Sequence, residues 1–434
     1  MTSHGSRGRS RSEGEGDGAR SRRWLGIESG PGYRSGLRDF TANLNVFTIV
    51  TGVVPVFVIC LSVSAVLIAS GSDAGLSTQQ ITFWASSIYV FGGILSWILA
   101  PYYKLPIVGA FSIPGVVVAI GALGDVSYSE MLGGILVAGL LVFLLGATGV
   151  MAHVVRLIPM PILSGMIGGI LLTFPLRIVD ASGAEPWIVG AAVLGYLIFY
   201  RWINFAPAIL GAIVGGVGAS AVLGRFGSAN LDLAMSFPQV QAPSISLAAV
   251  LSVSIPIAIL TVGAENMQAI AVLRSIGERP PTTAMTIVSG IATAVAGLFG
   301  GHSANVAGPT TAMAASEDAG RPEGKYVAAT IAGFTFVAFG LFIPVMVSLI
   351  GSIPPALTAV LVGLVLVPTV AGSLRSAWEA GRFTLGVLTA FLVSVSGFTL
   401  WGIASAFWAV LFGCLVSVVA EQGDYRRALS GSDK

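Results

Sequence analysis

Apolar residues run in long blocks along this chain, and most charges fall between the blocks. A helix crossing the hydrocarbon core of a bilayer needs about 20 consecutive, mostly apolar residues. The blocks predict spans near 43–70, 80–100, 107–124, 130–152, 157–177, 186–200, 206–224, 245–272, 283–300, 303–316, 326–350, 354–372, 383–399 and 400–420. The divisions at Pro207 and at the turn from Gly397 to Gly402 rest on the weakest pattern. The fold class is thus an all-α polytopic membrane protein of about fourteen spans.

Two of these spans break the helical pattern. In the third, Leu105-Pro106-Ile107-Val108-Gly109-Ala110-Phe111 suits extended backbone, and a helix can open at Pro114. The tenth repeats the design, with an extended Ser303 to Ala307 followed by a helix from about Pro309 to Ser316. Each half-helix covers roughly half the hydrocarbon thickness at 1.5 Å per residue. Backbone freed from helix at membrane depth is tolerated only where protein or a polar cavity satisfies it. A matched pair of breaks points to a transporter's binding site. The competing reading is that the prolines only kink two ordinary helices.

Composition and charge orient this picture. Of 434 residues, 55% are hydrophobic and 10% charged, against about a quarter charged in soluble domains. Between the tails, one set of alternate loops holds nine basic residues: Lys104, Arg156, Arg201, Arg274, Arg279, Arg321, Lys325, Arg375 and Arg382. The other set holds Arg177 and Arg225. The positive-inside bias puts both termini in the cytoplasm. Seven plus seven spans give the second half the opposite orientation, the condition for an inverted repeat. The expected organisation is a disordered, Arg-rich tail over 1–40, a seven-span repeat over 41–224, its inverted partner over 245–420, and a second cytoplasmic tail over 421–434.

Candidate chemistry gathers at the breaks. The half-helices would present unpaired N–H groups and positive dipole ends to a shared space suited to an anion or an acceptor-rich ligand. Glu265 lies in an apolar span, where a charge is expensive and marks a functional site. It is a candidate for proton coupling or substrate hydrogen bonding, or a structural partner for the broken tenth span. His302 is either a second proton relay or a backbone cap at the turn before that span. His153 and Arg156 read as interfacial anchors, and Glu317 to Lys325 as a solvated loop. Cys60 and Cys414 read as small core residues with no metal-ligand spacing. HExxH, P-loop and GxSxG motifs are absent, which supports neither an ATP-driven pump nor a hydrolase, and no cofactor or metal is expected.

The run Glu265-Asn266 through Ala271-Val272-Leu273-Arg274, then Arg279-Pro280-Pro281 and Phe299-Gly300-Gly301-His302-Ser303-Ala304-Asn305, resembles the benzoate:proton symporter (BenE-type) family, as does Ala110-Phe111-Ser112-Ile113-Pro114-Gly115. The resemblance covers nearly all of the chain after the tail. It implies the fold of the uracil-type nucleobase carriers, with a core of spans one to four and eight to eleven and a gate of the rest. It implies a proton-coupled importer of benzoate or a related aromatic carboxylate in a bacterial-type inner membrane. The expected substrate-binding residues are Phe111, Ser112, Ile113, Gly115, Glu265, Asn266, Asn305, Gly308 and Thr310, with Glu265 and, secondarily, His302 coupling protons.

Two departures keep the substrate open. Gly263-Ala264-Glu265-Asn266 stands where an Ala-Ser-Gln-Asn type sequence is expected in benzoate carriers, and Pro309 stands where nucleobase carriers have a second carboxylate. The alternatives are a nucleobase-like heterocycle:proton symporter and an uncoupled anion uniporter or channel. Expected partners are the small acid, protons and the lipid bilayer, with a homodimer left open and no nucleic acid.

Overall fold

The computed structural model describes residues 26–149, 159–203, 208–227, 234–379, 381–424 and 427. The tail before residue 26, the anchors His153 and Arg156, the division at Pro207 and most of the C-terminal tail lie outside the described residues.

The elements run in the order α1 (Tyr33–Asn43), α2 (Val46–Asp73), α3 (Thr78–Tyr103), β1 (Gly109–Ala110), α4 (Ile113–Ala122), α5 (Tyr128–Thr148), α6 (Met160–Ala184), α7 (Pro186–Trp202), α8 (Ala208–Val222), α9 (Leu247–Ser275), α10 (Thr282–Leu298), β2 (Asn305–Val306), α11 (Gly308–Ala315), α12 (Lys325–Leu341), α13 (Ile343–Ser352), α14 (Pro355–Glu379), α15 (Thr384–Val395) and α16 (Ser405–Ala420). Among the described residues, seven helices are long and apolar enough to cross a membrane, and shorter apolar helices complete the bundle. Reciprocal side-chain boxes open three of the long ones: Asn45 with Thr48, Ser77 with Gln80, and Ser127 with Glu130.

The sequence expectations need two corrections here. The tail does not stay unstructured to residue 40, because α1 begins at Tyr33. Gly36 lies so close to α3 that a Cβ there would meet the Pro101 carbonyl at 2.0 Å, and Tyr326 Oη donates to the Gly36 carbonyl at 2.8 Å. Just upstream, the Glu28 carboxylate accepts the N–H groups of Thr283 (3.0 Å) and Ala284 (3.1 Å), capping α10. Asp39 accepts hydrogen bonds from Arg38 and Lys104, which hold its carboxyl down at about 2. The block 326–350 is also two helices rather than one. It breaks at Phe342, where Pro344 in the first turn of α13 cannot continue a helix from α12.

Close helix pairs are built on glycine. α3 packs on α12 where Gly93 meets Gly333, and α5 packs on α10 where Gly139 meets Ala294. α7 meets α8 through Gly195 and Gly211, and α15 meets α16 through Gly386 and Gly413. Small residues let backbones approach where apolar burial alone gives helices no reason to pair in lipid. The described core includes an aromatic group in which Tyr89 sits 5.2 Å from both Phe111 and Phe339.

Candidate functional site

The two interrupted segments meet. β1 and β2 pair antiparallel with Gly109 opposite Val306 and Ala110 opposite Asn305, and Ala307 N–H extends the ladder to the Val108 carbonyl at 3.1 Å. β1 lies flat on α3: a Cβ on Gly92 would come 2.7 Å from the Ala110 carbonyl, and one on Gly109 would come 2.5 Å from the Gly92 carbonyl.

Each strand has an outer edge that needs partners, and side-chain hydroxyls supply them. Ser96 Oγ accepts the Gly109 N–H at 2.9 Å and lies 3.2 Å from the Gly109 carbonyl. Thr293 Oγ1 does the same for Ala304, at 3.3 Å and 3.0 Å. Ser289 Oγ accepts Val306 N–H at 3.1 Å, and Thr311 Oγ1 accepts Val108 N–H at 3.2 Å. The sequence reading missed all four. A signal existed in α10, where Ser289 and Thr293 are four residues apart and share a face.

The half-helices leave from this ladder. α4 starts at Ser112, whose Oγ accepts the Gly115 N–H at 3.1 Å while its carbonyl takes Val116 N–H. α11 starts at Ala307, with Pro309 in its first turn. The N–H groups of Ile113, Gly308 and Thr310 have no acceptor among the described residues. A Cβ on Gly308 would sit 2.4 Å from the Gln268 Cβ, so only glycine lets this turn reach α9.

The α9 helix is not regular. Over Val250–Ser254 and again over Leu260–Asn266 it widens to π-helix, and the second segment contains Glu265. π-segments are rare and concentrate at functional sites. Pro256 marks the first, since its ring cannot coexist with a regular bond at that turn; no sequence signal marked the second. Glu265 is 8% exposed, with the Ser112 hydroxyl near its carboxyl. No ion pair to it occurs among the described residues. Beside it, Asn266 Oδ1 accepts from Ser289 Oγ at 3.3 Å, which ties α9 to α10 and, through Ser289, to β2. Asn266 Nδ2, Thr261 Oγ1 and Asn305 Oδ1 are buried without a partner among the described residues. An unmet buried polar atom costs about 1–3 kcal/mol, so these are groups that a ligand could satisfy.

Ser112, Ile113, Gly115, Glu265, Asn266, Asn305, Gly308 and Thr310 therefore lie on one ladder, its two helix starts and the π-segment beside them. Two expected roles change. Phe111 is 4% exposed, with its ring among Tyr89, Phe336 and His302, so it supports the strand from behind rather than offering an open wall. His302 is fully buried between Trp84, whose Nε1–H donates to Nδ1 at 2.9 Å, and the Ser112 carbonyl, 2.8 Å from Nε2. Indole can only donate, so Nδ1 must accept and Nε2 must carry the single ring proton. That arrangement fixes a neutral imidazole that positions Ser112 and does not suit a relay.

A cleft of about 1090 Å³ runs from Pro309 along Ala312 and Met313 to Glu317 and Asp318, with the N-terminal half of α2 as its other wall. It connects the start of α11 to the end of the bundle that carries the basic loops.

The family model for benzoate membrane transport proteins matches residues 42–419. The chain is 28% identical over 373 residues to the inner membrane protein YdcO of Escherichia coli (strain K12), covering 86% of this chain and 95% of that one. It is 28% identical over 349 residues to a benzoate membrane transport protein of Acinetobacter baylyi, covering 80% and 88%. The transmembrane domain of the cyanobacterial bicarbonate transporter BicA shares the fold with a TM-score of 0.59 at 16% identity, covering 88% of this chain and 98% of that one. Murine Slc26a9, an anion transporter solved in its inward-facing state, gives 0.56 at 12% identity, covering 95% and 73%.

Proposed function

The chain belongs to the family of benzoate membrane transport proteins, and from that premise we propose that it carries benzoate or a related aromatic carboxylate across a bacterial-type inner membrane together with a proton. The observation that carries this reading is the placement of Ser112, which caps α4 beside Glu265, so that a titratable acceptor stands near two half-helix N-termini. The free N–H groups of Ile113, Gly308 and Thr310 would receive the substrate carboxylate. Glu265 would take up its proton first, because an ionised Glu265 beside a second carboxylate would repel it. Release of both to the other side completes symport.

We read the bundle as fourteen spans in two inverted sevens, residues 41–224 and 245–420. Support comes from the helix pairs, which match when each span is exchanged for the one seven later. The pair α3 with α12 becomes α10 with α5, and α7 with α8 becomes α15 with α16. The hydroxyls match too, Ser96 serving β1 as Thr293 serves the segment before β2. Rocking of a core against a gate, with the termini cytoplasmic, then alternates access. A competition assay tests the substrate class. Uptake of labelled benzoate in proteoliposomes should fall with excess unlabelled aromatic acid. Inhibition by uracil or xanthine with none by aromatic acids would instead assign the site to a heterocycle.

A further inference from the structure

A second cleft, of about 250 Å³, lies at the C-terminal end of α2, the opposite end of that 28-residue helix from the large cleft. Its walls come from α2, from α6 and from the α13–α14 corner, and it contains Arg177. Arg177 donates from Nη1 to Asp73 at the end of α2, and its guanidinium stacks 5.4 Å from the Phe174 ring. The contact with Asp73 engages one of five donors in the planar fork, and the Nε and Nη2 groups have no partner among the described residues. Ser70, which lines the same cleft, is 2% exposed, and its hydroxyl has no hydrogen-bond partner among the described residues. The remaining surface is largely aliphatic, including Ile68, Ile353 and Val362.

A cation with a free bidentate edge, an unsatisfied buried hydroxyl and an apolar wall form a receptor for a small aromatic monocarboxylate. We propose that this cleft is a second binding site for the transported class of acid, at the mouth opposite the large cleft, where Arg177 grips the carboxylate and Ser70 donates to it. The inference rests on the aromatic-carboxylate reading of the protein. A guanidinium suits this task because its fork matches the two carboxylate oxygens. Asp73 holds Nη1 and leaves the Nε–Nη2 edge to the acid, but its negative charge opposes a second carboxylate on the same cation. The volume, about eight times a water molecule's share of the liquid, accommodates one ring with its carboxylate.

The test is equilibrium binding of radiolabelled benzoate to the purified full chain and its variants. Wild type should bind at two sites. R177Q should lose one and leave the other unchanged, and S70A should weaken that same site roughly tenfold or more, the loss expected for a hydrogen bond to a charged group. D73N should tighten it, because the opposing charge is gone while Arg177 remains, and this variant decides the matter if R177Q does not fold. If Asp73 and Arg177 form only a structural link, D73N and R177Q act alike and wild type binds at a single site; that result overturns the inference and leaves the transport reading standing. A wild-type protein that binds no benzoate at all overturns the reading itself, and the inference with it.

Discussion

Ser112 starts a half-helix beside Glu265: its Oγ accepts the Gly115 N–H at 3.1 Å, and the hydroxyl stands near the Glu265 carboxyl. The start of α4 and a buried acid thus adjoin at one side chain.

Removing that hydroxyl should therefore cost more function than stability. Ser112→Ala loses an N-cap, worth about 1 kcal/mol, and should lower the unfolding temperature by only a few degrees. Uptake kcat/KM should fall at least about tenfold, the equivalent of about 1.4 kcal/mol of lost binding. A large loss of folded protein with normal uptake in the remainder would assign Ser112 to structure alone.

Glu265→Gln keeps the shape and hydrogen-bonding reach of the side chain but cannot ionise. Uptake driven by a pH gradient should vanish, while exchange of labelled for unlabelled benzoate at equal pH should persist. A variant whose uptake keeps the wild-type pH profile removes Glu265 from the coupling step.

His302 makes a contrasting case. Its ring holds the Ser112 carbonyl and accepts from Trp84. His302→Ala should destabilise the protein by about 1–3 kcal/mol, since it strands the buried Trp84 N–H, while the Ser112 carbonyl keeps the Val116 N–H. Because the ring does not titrate in the cycle, the pH optimum of the remaining uptake should not move.

Gly308 is a steric prediction. Any Cβ there meets Gln268 at 2.4 Å, so Gly308→Ala should push the start of α11 away from α9 and reduce uptake strongly. Gly308→Ala combined with Gln268→Gly should recover part of the loss. Absence of any rescue contradicts the contact as the cause.

At the basic-loop end, Asp39 supplies a pH test of the α1 strap. Its carboxyl is held at about 2 by hydrogen bonds from Arg38 and Lys104. A carboxylate depressed on folding stabilises above its unfolded value, about 3.9, and that stabilisation disappears as pH falls through about 2. Wild type should therefore melt above Asp39→Asn by a constant margin between about pH 5 and 8, narrowing toward pH 2. A margin that changes within the neutral range implicates another group.

The sequence carried a good part of this site because its signals are local. Pro114 and Pro309 announce helix starts, β-branched residues before Ser112 announce extended backbone, and Glu265 is conspicuous in apolar surroundings. What escaped was made by distant pairs. Nothing near Ser303 says that its hydroxyl accepts from Ser112 N–H, 191 positions away, and nothing near Thr311 points to Val108. The π-segment at Leu260–Asn266 arises from packing rather than from a residue that demands it. The strap at Tyr33–Asn43 escaped for the opposite reason: its Gly- and Arg-rich neighbourhood resembles a disordered tail, yet Glu28, Gly36 and Asp39 each have specific partners far along the chain. The break at Phe342 had a local signal in Pro344, outweighed by the unbroken apolar run around it.

The central claim is that a buried carboxylate couples a proton to the passage of an aromatic acid. Its most direct measurement is uptake of radiolabelled benzoate by proteoliposomes holding the purified protein, with and without an imposed pH gradient, acidic outside. The account predicts accumulation above equilibrium with the gradient, collapse when a protonophore is added, and no gradient-driven accumulation by Glu265→Gln. Uptake that only equilibrates, and is indifferent to the gradient after correction for passive entry of the neutral acid into empty liposomes, would contradict it.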